Sequence, residues 1–458
     1  MEALKSDKYK WLATIVMTML VFCIPVDGVF TDKVQLFLAI TTFVILLVAF
    51  ELFDVMIPAV LLPTLYCATG LVPVNVAFSA WTGTTVWMIL GSLVLAVILD
   101  ECGLLTRIAL WSIRKCGGSL TGTIYGVFIT GIIVNFITFC NAYIIIVTLA
   151  YGVAKALDPE RTKVSAVICM AGLMGGLSTC VFLYNPAYIA LAEAVVQTAH
   201  PAFNMNWYVP SVYLLPIVPI DFLIIWVMTK IFRTNEVKGS SLEYFDAKYR
   251  ELGPMSMKEK KCVVILALLM VFLFTTPLHG INPAWGFMIA PYLMFFPGIA
   301  VADKGCIKKT NYAILFFLAA CISIGGVGNA VNFTEAFIHA LSPLMNGVGL
   351  LVLFLIMMAA GIVAKLFLSP YAIIAALSLA FAQVGVSMGC PPLVGVLILF
   401  IVTDFVFMPH AASAYLVMYG FGGIAMKDVI SFGLIKIVLT LILFAALIYP
   451  YWKLTGLI

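Results

Sequence analysis

The chain has 458 residues, 64% of them hydrophobic and only 10% charged, with a mean hydropathy of +1.15. A soluble domain carries about 25% charged residues, so this composition excludes a soluble fold and makes the chain an all-α polytopic membrane protein, with apolar segments long enough to span hydrocarbon at roughly 20 residues each. The net charge of +4 comes without any basic run interleaved with aromatics, which excludes a nucleic-acid partner.

The N-terminus carries Lys5, Lys8 and Lys10 ahead of the apolar run Trp11–Val26. Asp27-Gly-Val-Phe is a poor cleavage site, so this run is an extra first span, with residues 1–33 preceding the repeated part. Spans near 34–50, 54–71 and 84–99 follow. Leu104–Lys115 sets Arg107, Arg114 and Lys115 among Leu, Ile and Trp111, the pattern of an interfacial amphipathic helix. The next basic loop, Lys155–Lys163, also belongs in the cytoplasm. The single apolar block between these two basic flanks, residues 117–154, must then enter and leave on one side. It reads as a re-entrant hairpin with its tip near Thr138–Ala142. Such a tip is tolerable at membrane depth only where it is buried in protein or lines a cavity.

The segment 164–196 is long for one span. It is interrupted by Gly172, Gly175, Gly176, Ser178-Thr179 and Tyr184-Asn185-Pro186, and reads as a broken helix. A span at about 211–229 closes the first half, 34–229. Residues 230–261 hold eight Lys and Arg and form a cytoplasmic linker. The second half, 262–458, repeats the scheme upside down. Spans near 262–279, 282–300 and 312–330 precede a hairpin at about 347–383 with its tip at Ser369-Pro370-Tyr371. A broken helix at about 390–424 is interrupted around Met408–Ser413, and a last span covers about 430–452. The stretches Gly131–Ala142 and Gly361–Ala372 are the matched tips. The layout is two inverted repeats, about 11 transmembrane helices plus two re-entrant hairpins. It puts the N-terminus in the cytoplasm, the C-terminus outside, and the protein in the plasma membrane (the inner membrane of a bacterium).

The eleven cysteines are scattered without a CxxC pair and read as small buried hydrophobes, so no disulfide framework or metal cluster is indicated. With no nucleophile–base pair and no nucleotide motif, the chain is not read as an enzyme and needs no cofactor beyond a coupling ion. Lys365 is the most unusual residue, because an intramembrane lysine is costly and functional by default. It either pairs with Asp404, replaces a coupling cation as a fixed positive charge, or snorkels to the outer surface. His410 either titrates near neutrality or is a hydrogen-bonded packing residue. Glu193 and Asp221 read as interface or helix-contact residues.

Several local patterns carry a family resemblance: Leu62-Pro63 through Trp81, Leu99-Asp-Glu-Cys-Gly-Leu-Leu-Thr-Arg-Ile-Ala109, Thr276-Pro-Leu-His-Gly-Ile-Asn282, Lys309–Phe317 and the tail Gly420–Tyr451. With the layout, they make the chain resemble the divalent anion/sodium symporter family, the di- and tricarboxylate carriers of the ion transporter superfamily. The resemblance implies an elevator-type transporter, a homodimer in the bilayer that carries a small anion with Na⁺. The family's Ser-Asn-Thr at each tip reads Cys140-Asn141-Ala142 and Ser369-Pro370-Tyr371 here, so the chain is a divergent member. Mapped onto these positions, the resemblance implies Asn141, Thr179, Ser369, Tyr371, Pro409 and Ala411 for substrate. For cation binding or coupling it and the charge pattern point to Asn135, Cys140, Asn141, Ser178, Lys365, Asp404 and His410, with Na⁺ near Asn141. The alternative is a proton-coupled carrier or anion exchanger of the same fold, with Lys365 in place of one Na⁺ and an anion other than a dicarboxylate.

Overall fold

Helix starts follow local capping chemistry. Thr31, Ser119, Asn185, Ser256, Asn282, Asn311 and Ser369 each place a side-chain oxygen on a backbone N–H of the first turn that follows. At Ser256 the Glu259 side chain returns the bond, a complete capping box. That box starts its helix five residues before the expected span at 262.

The computed structural model describes residues 2–50, 52–116, 119–158, 163–232, 242–333, 335, 336, 339, 348–365, 368–406, 413–420 and 424–458, and every regular element among them is helical. The main helices of the first half are α1 Glu2–Val21, α2 Asp32–Ala49, α3 Met56–Ala68, α4 Thr84–Glu101, α5 Leu104–Cys116, α6 Leu120–Thr138, α7 Tyr143–Leu157, α8 Lys163–Leu177, α9 Thr179–Phe182, α10 Pro186–Val196 and α11 Ile217–Ile231. The second half has α12 Met257–Phe274, α13 Pro283–Leu293, α14 Tyr312–Ala330, α15 Leu350–Lys365, α16 Pro370–Ser387, α17 Pro392–Thr403, α18 Ser413–Gly420, α19 Met426–Leu443 and α20 Tyr449–Leu454. Among the described residues, 7 helices are long and apolar enough to cross a membrane. Other expected spans are shorter helices such as α3, which stops ahead of Gly70 at φ 71.

The segments expected as hairpins each hold two helices, α6 and α7 on either side of residues 139–142, and α15 and α16 with residues 368 and 369 described ahead of α16. The first broken helix is interrupted later than its glycines imply. Gly172, Gly175 and Gly176 stay helical, and the chain leaves the helix at Leu183-Tyr184-Asn185, where Pro186 can open α10 but not continue α9. The glycines serve close packing instead. A Cβ on Gly131 would lie 2.3 Å from the Cα of Gly175, so α6 and α8 meet backbone to backbone. In the second half, Gly361 of α15 instead receives the side chain of Val402 of α17, where a Cβ would lie 2.6 Å from Val402 Cγ1. The interruption of the second broken helix, around Met408–Ser413, lies mostly outside the described residues.

The amphipathic segment is α5, but Arg107 is not on its solvated face. It is buried, with Nε 2.6 Å from Glu259 Oε1 and Nη1 donating to the Gly253 carbonyl at 2.8 Å. The guanidinium thus fastens the end of the linker to the first half. The linker also contains a helix, Leu242–Glu251, that packs on α5.

Gly131→Ala is expected to destabilise the fold by about 1–3 kcal/mol, the usual cost of overpacking. Gly152→Ala, on α7 where an added Cβ meets nothing within 4 Å, is expected to be neutral or slightly stabilising. Thermal unfolding of the purified protein in detergent compares the two.

Candidate functional site

The first tip closes without a glycine. Phe139 and Cys140 both adopt left-handed backbone, at φ 54 and φ 64. Their amides return to the Asn135 carbonyl and end α6, a Schellman-like arrangement normally completed by glycine. Two consecutive non-glycine residues in this region are strained, and they persist because their surroundings hold them. The Phe139 ring stands edge-on to Phe287 of α13, with centroids 4.6 Å apart. Asn141 donates its side-chain amide to the Thr138 and Phe139 carbonyls, at 3.2 and 3.1 Å. It braces the tip from within.

Asn135 ties this hairpin to the broken helix. Its Nδ2 donates to the Gly175 and Gly176 carbonyls, both at 3.0 Å, and to Thr179 Oγ1 at 2.7 Å. Thr179 Oγ1 in turn donates to the Gly175 carbonyl at 2.7 Å. Asn135 Oδ1 is buried and has no hydrogen-bond partner.

A cavity of about 490 Å³ lies where the tips meet α2, α3 and α14. Cys140 and Tyr143 reach it from the first tip, Asn185 and Tyr188 from the break before α10, and Leu368–Ala372 from the second tip. Val44, Pro58, Phe317 and Ala320 form part of the opposite wall. From the side of the tips, three helices begin on this cavity. Tyr143 opens α7, Pro186 opens α10 behind its cap Asn185, and Pro370 opens α16 behind its cap Ser369. Asn185 Oδ1 accepts from the amides of Ala187 and Tyr188, and Tyr188 stands edge-on to Tyr371 at 5.4 Å. Among the described lining residues there is no Lys, Arg, Asp, Glu or His. The polar surface consists of helix starts, hydroxyls, thiols and amides.

Behind the tips lies a cluster of buried charge. Lys436 of α19 is 2% exposed, and its Nζ sits 2.7 Å from Asp404 Oδ1 and 2.6 Å from Ser178 Oγ. Asp404 is the C-terminal cap of α17, and Ser178 is the joint between α8 and α9. Lys365, the last residue of α15 and 1% exposed, lies within electrostatic range of Asp404. Asp221 of α11, also 1% exposed, is in range of both Lys436 and Asp404.

The expected site residues therefore fall into three places. Cys140, Ser369 and Tyr371 line the cavity. Asn135 and Thr179 lock the first tip to the broken helix, Asn141 braces the tip itself, and none of the three lines the cavity. Ser178, Lys365 and Asp404 belong to the charge cluster. Pro409, His410 and Ala411 lie outside the described residues. Two expectations are corrected. The ion-pair partner of Asp404 is Lys436, because α19 brings its ammonium into contact from a separate helix. Lys365 is buried and does not snorkel. Asp221, read as a helix-contact residue, is a member of the same cluster. Lys436 was legible by the rule that singled out Lys365, since it interrupts the apolar run Val429–Leu443. Tyr143, Asn185 and Tyr188 were missed because only the folded chain shows which residues of a broken helix face the tips.

The profile of a family described as "Sodium:sulfate symporter transmembrane region" matches residues 5–458. The chain belongs to this family. It is a membrane transport protein with a multi-pass helical fold. The chain is 25% identical over 411 residues to the "Putative malate transporter YflS" of Bacillus subtilis (strain 168), covering 85% of this chain and 84% of that protein. It is 22% identical to an uncharacterized transporter of Haemophilus influenzae, covering 92% and 93% of the two chains. Among solved structures it is similar to the YdaH transporter of Alcanivorax borkumensis, with a TM-score of 0.60 and 14% identity over 83% of this chain and 88% of that one. It is also similar to MtrF of Neisseria gonorrhoeae, with a TM-score of 0.54 and 14% identity over 80% of each. At such identities the structural likeness speaks to fold.

Lys436→Met leaves the Asp404 carboxylate without its contact cation, and the expected cost is about 3–5 kcal/mol. Adding Asp404→Leu should recover much of that loss. A double-mutant cycle by thermal unfolding should give a larger coupling for Lys436 with Asp404 than for Lys365 with Asp404. Equal couplings would refute the assigned pair.

Proposed function

We propose that the chain is a secondary active transporter of small organic anions, di- or tricarboxylates, working by an elevator alternating-access mechanism with Na⁺ as the coupling ion. The observation that carries this reading is the start of three helices on one cavity between the two tips. Helix starts present backbone N–H groups and a partial positive end, which suit a carboxylate without a fixed side-chain cation. Ser369, Asn185 and the hydroxyls of Tyr143, Tyr188 and Tyr371 supply further donors. The name of the Bacillus relative supports a dicarboxylate, and the family description supports a sodium-coupled anion carrier.

Helix breaks at membrane depth belong to carriers that rock around a central site. In the elevator reading, the unit that holds both hairpins and broken helices slides along the wall of α2, α3 and α14. The order of elements in the two halves supports inverted repeats, and with them goes a homodimer in the plasma membrane, N-terminus in the cytoplasm and C-terminus outside. For Na⁺, the first tip offers the buried, unpartnered Asn135 Oδ1. Neutral oxygens of this kind suit an alkali cation. The buried charge cluster favours a second reading, a proton-coupled carrier or exchanger in which Lys436 takes the role first given to Lys365.

Reconstituted in liposomes, the protein should show saturable counterflow of radiolabelled malate, accelerated by malate on the opposite side. An inward Na⁺ gradient should raise net uptake. Asn185→Ala, which removes a helix cap on the cavity, should weaken apparent malate affinity about 5-fold, corresponding to ~1 kcal/mol. Counterflow of sulfate but not malate would overturn the substrate class, and ion conductance without counterflow would overturn the carrier.

A further inference from the structure

The buried charges of the cluster are unevenly matched. Lys436 has its Nζ in contact with Asp404 and lies in electrostatic range of a second carboxyl group, Asp221. Asp404 also has Ser178 beside it and Lys365 in electrostatic range. Asp221 has Lys436 in electrostatic range but no ion-pair contact among the described residues. It lies one turn into α11, 1% exposed, and its Oδ2 has no hydrogen-bond partner. A carboxylate at such a position, without a cation in contact, is among the most costly arrangements in a membrane interior. Protonation removes the charge and most of that cost.

We propose that Asp221 is a proton-binding site, and that Lys436 exchanges between Asp404 and Asp221 as that proton binds and leaves. With Lys436 on Asp404, Asp221 holds a proton taken from one aqueous side. When the ammonium moves to Asp221, the Asp221 O–H bond breaks and the proton leaves to the other side. Asp404 then keeps Lys365 as its compensating charge. Each half-step transfers one proton and no other atom. The inference rests on the second, proton-coupled reading above and deepens it by naming a coupling group outside the substrate cavity.

The surroundings of Asp221 fit this role. α11 packs against α19, α8 and α6. From α19 comes Lys436, and from the end of α17 comes Asp404. α8 carries Cys169, which is buried, and Lys163, which is engaged with Asp428 at 2.5 Å. α6 carries Tyr125, whose ring stacks on Phe222. Tyr415 of α18 faces Asp404. Lys436 is therefore the cation that answers to Asp221. Phe444–Ile448 extends α19 as a π-helical turn, an irregularity frequent at functional sites.

Two measurements on the full-length protein in liposomes test the proposal. Infrared difference spectra between acid and alkaline buffer should contain a protonated-carboxyl band that Asp221→Asn removes and that Asp404→Asn, which frees Lys436 for Asp221, weakens. A wild-type protein without the band, or a band that survives Asp221→Asn, overturns the inference. In the second measurement, an acid-outside pH gradient should drive malate accumulation in wild type, and Asp221→Asn should reduce it to the level of protein-free liposomes. Wild-type protein that exchanges malate yet ignores the pH gradient overturns the proton site and leaves the carrier reading standing. Wild-type protein that exchanges no malate overturns the substrate reading, and the infrared band alone then decides for or against Asp221.

Discussion

Every interruption of a helix at membrane depth frees backbone groups that lipid cannot satisfy, and the fold depends on how this chain satisfies them. At the first tip, the amides of Phe139 and Cys140 return to Asn135, and the Asn141 side chain covers two more carbonyls. At the break before α10, Asn185 takes the amides of Ala187 and Tyr188. At the second tip, Pro370 has no amide to satisfy and Ser369 caps the turn. Between α8 and α9, the Ser178 hydroxyl meets the Lys436 ammonium. Each of these described breaks therefore has its own polar residue, and these residues sit in or beside the cavity and the charge cluster.

Close packing of the backbones makes this possible. Gly131 against Gly175 brings α6 near enough to α8 for the Asn135 amide to reach two carbonyls of the neighbouring helix. A larger residue at either position would separate the helices and break that link. The contact of Gly361 with Val402 joins hairpin and broken helix in the second half. What differs is the polar content. The first half spans its contact with a neutral amide, while the second places Lys365 and Asp404 near its contact and receives Lys436 from α19.

In the proposed carrier the two polar regions divide the work. The cavity holds helix starts and neutral donors, so it can bind an anion and release it again, which a fixed lysine in contact would oppose. The charged groups lie apart from it, where a change in their pairing can bias the position of α17 and α19 without touching the substrate. Ser178 and Asn135 lie on the route between the two regions, since both contact the α8–α9 segment.

Hydropathy, proline and charge suffice to locate the helix ends at residues 139–142, at Asn185-Pro186 and at Ser369-Pro370, and with the local patterns they point to the family, because these signals are local. A helix stops at Asn185-Pro186 or Ser369-Pro370 whatever lies nearby. The folded chain decides the matters that depend on two distant segments meeting. The glycines of α8 read as breakers in the sequence and are packing contacts in the fold, because that depends on Gly131 across the interface. Asn141 has the character of a ligand, yet it braces its own turn. Lys365 and Asp404, similarly placed before their breaks, suggest a pair, but the contact goes to Lys436. Sequence alone determined which residues carry charge into the membrane. Only packing, through the rotation and approach of α11, α17 and α19, determined which of those charges touch.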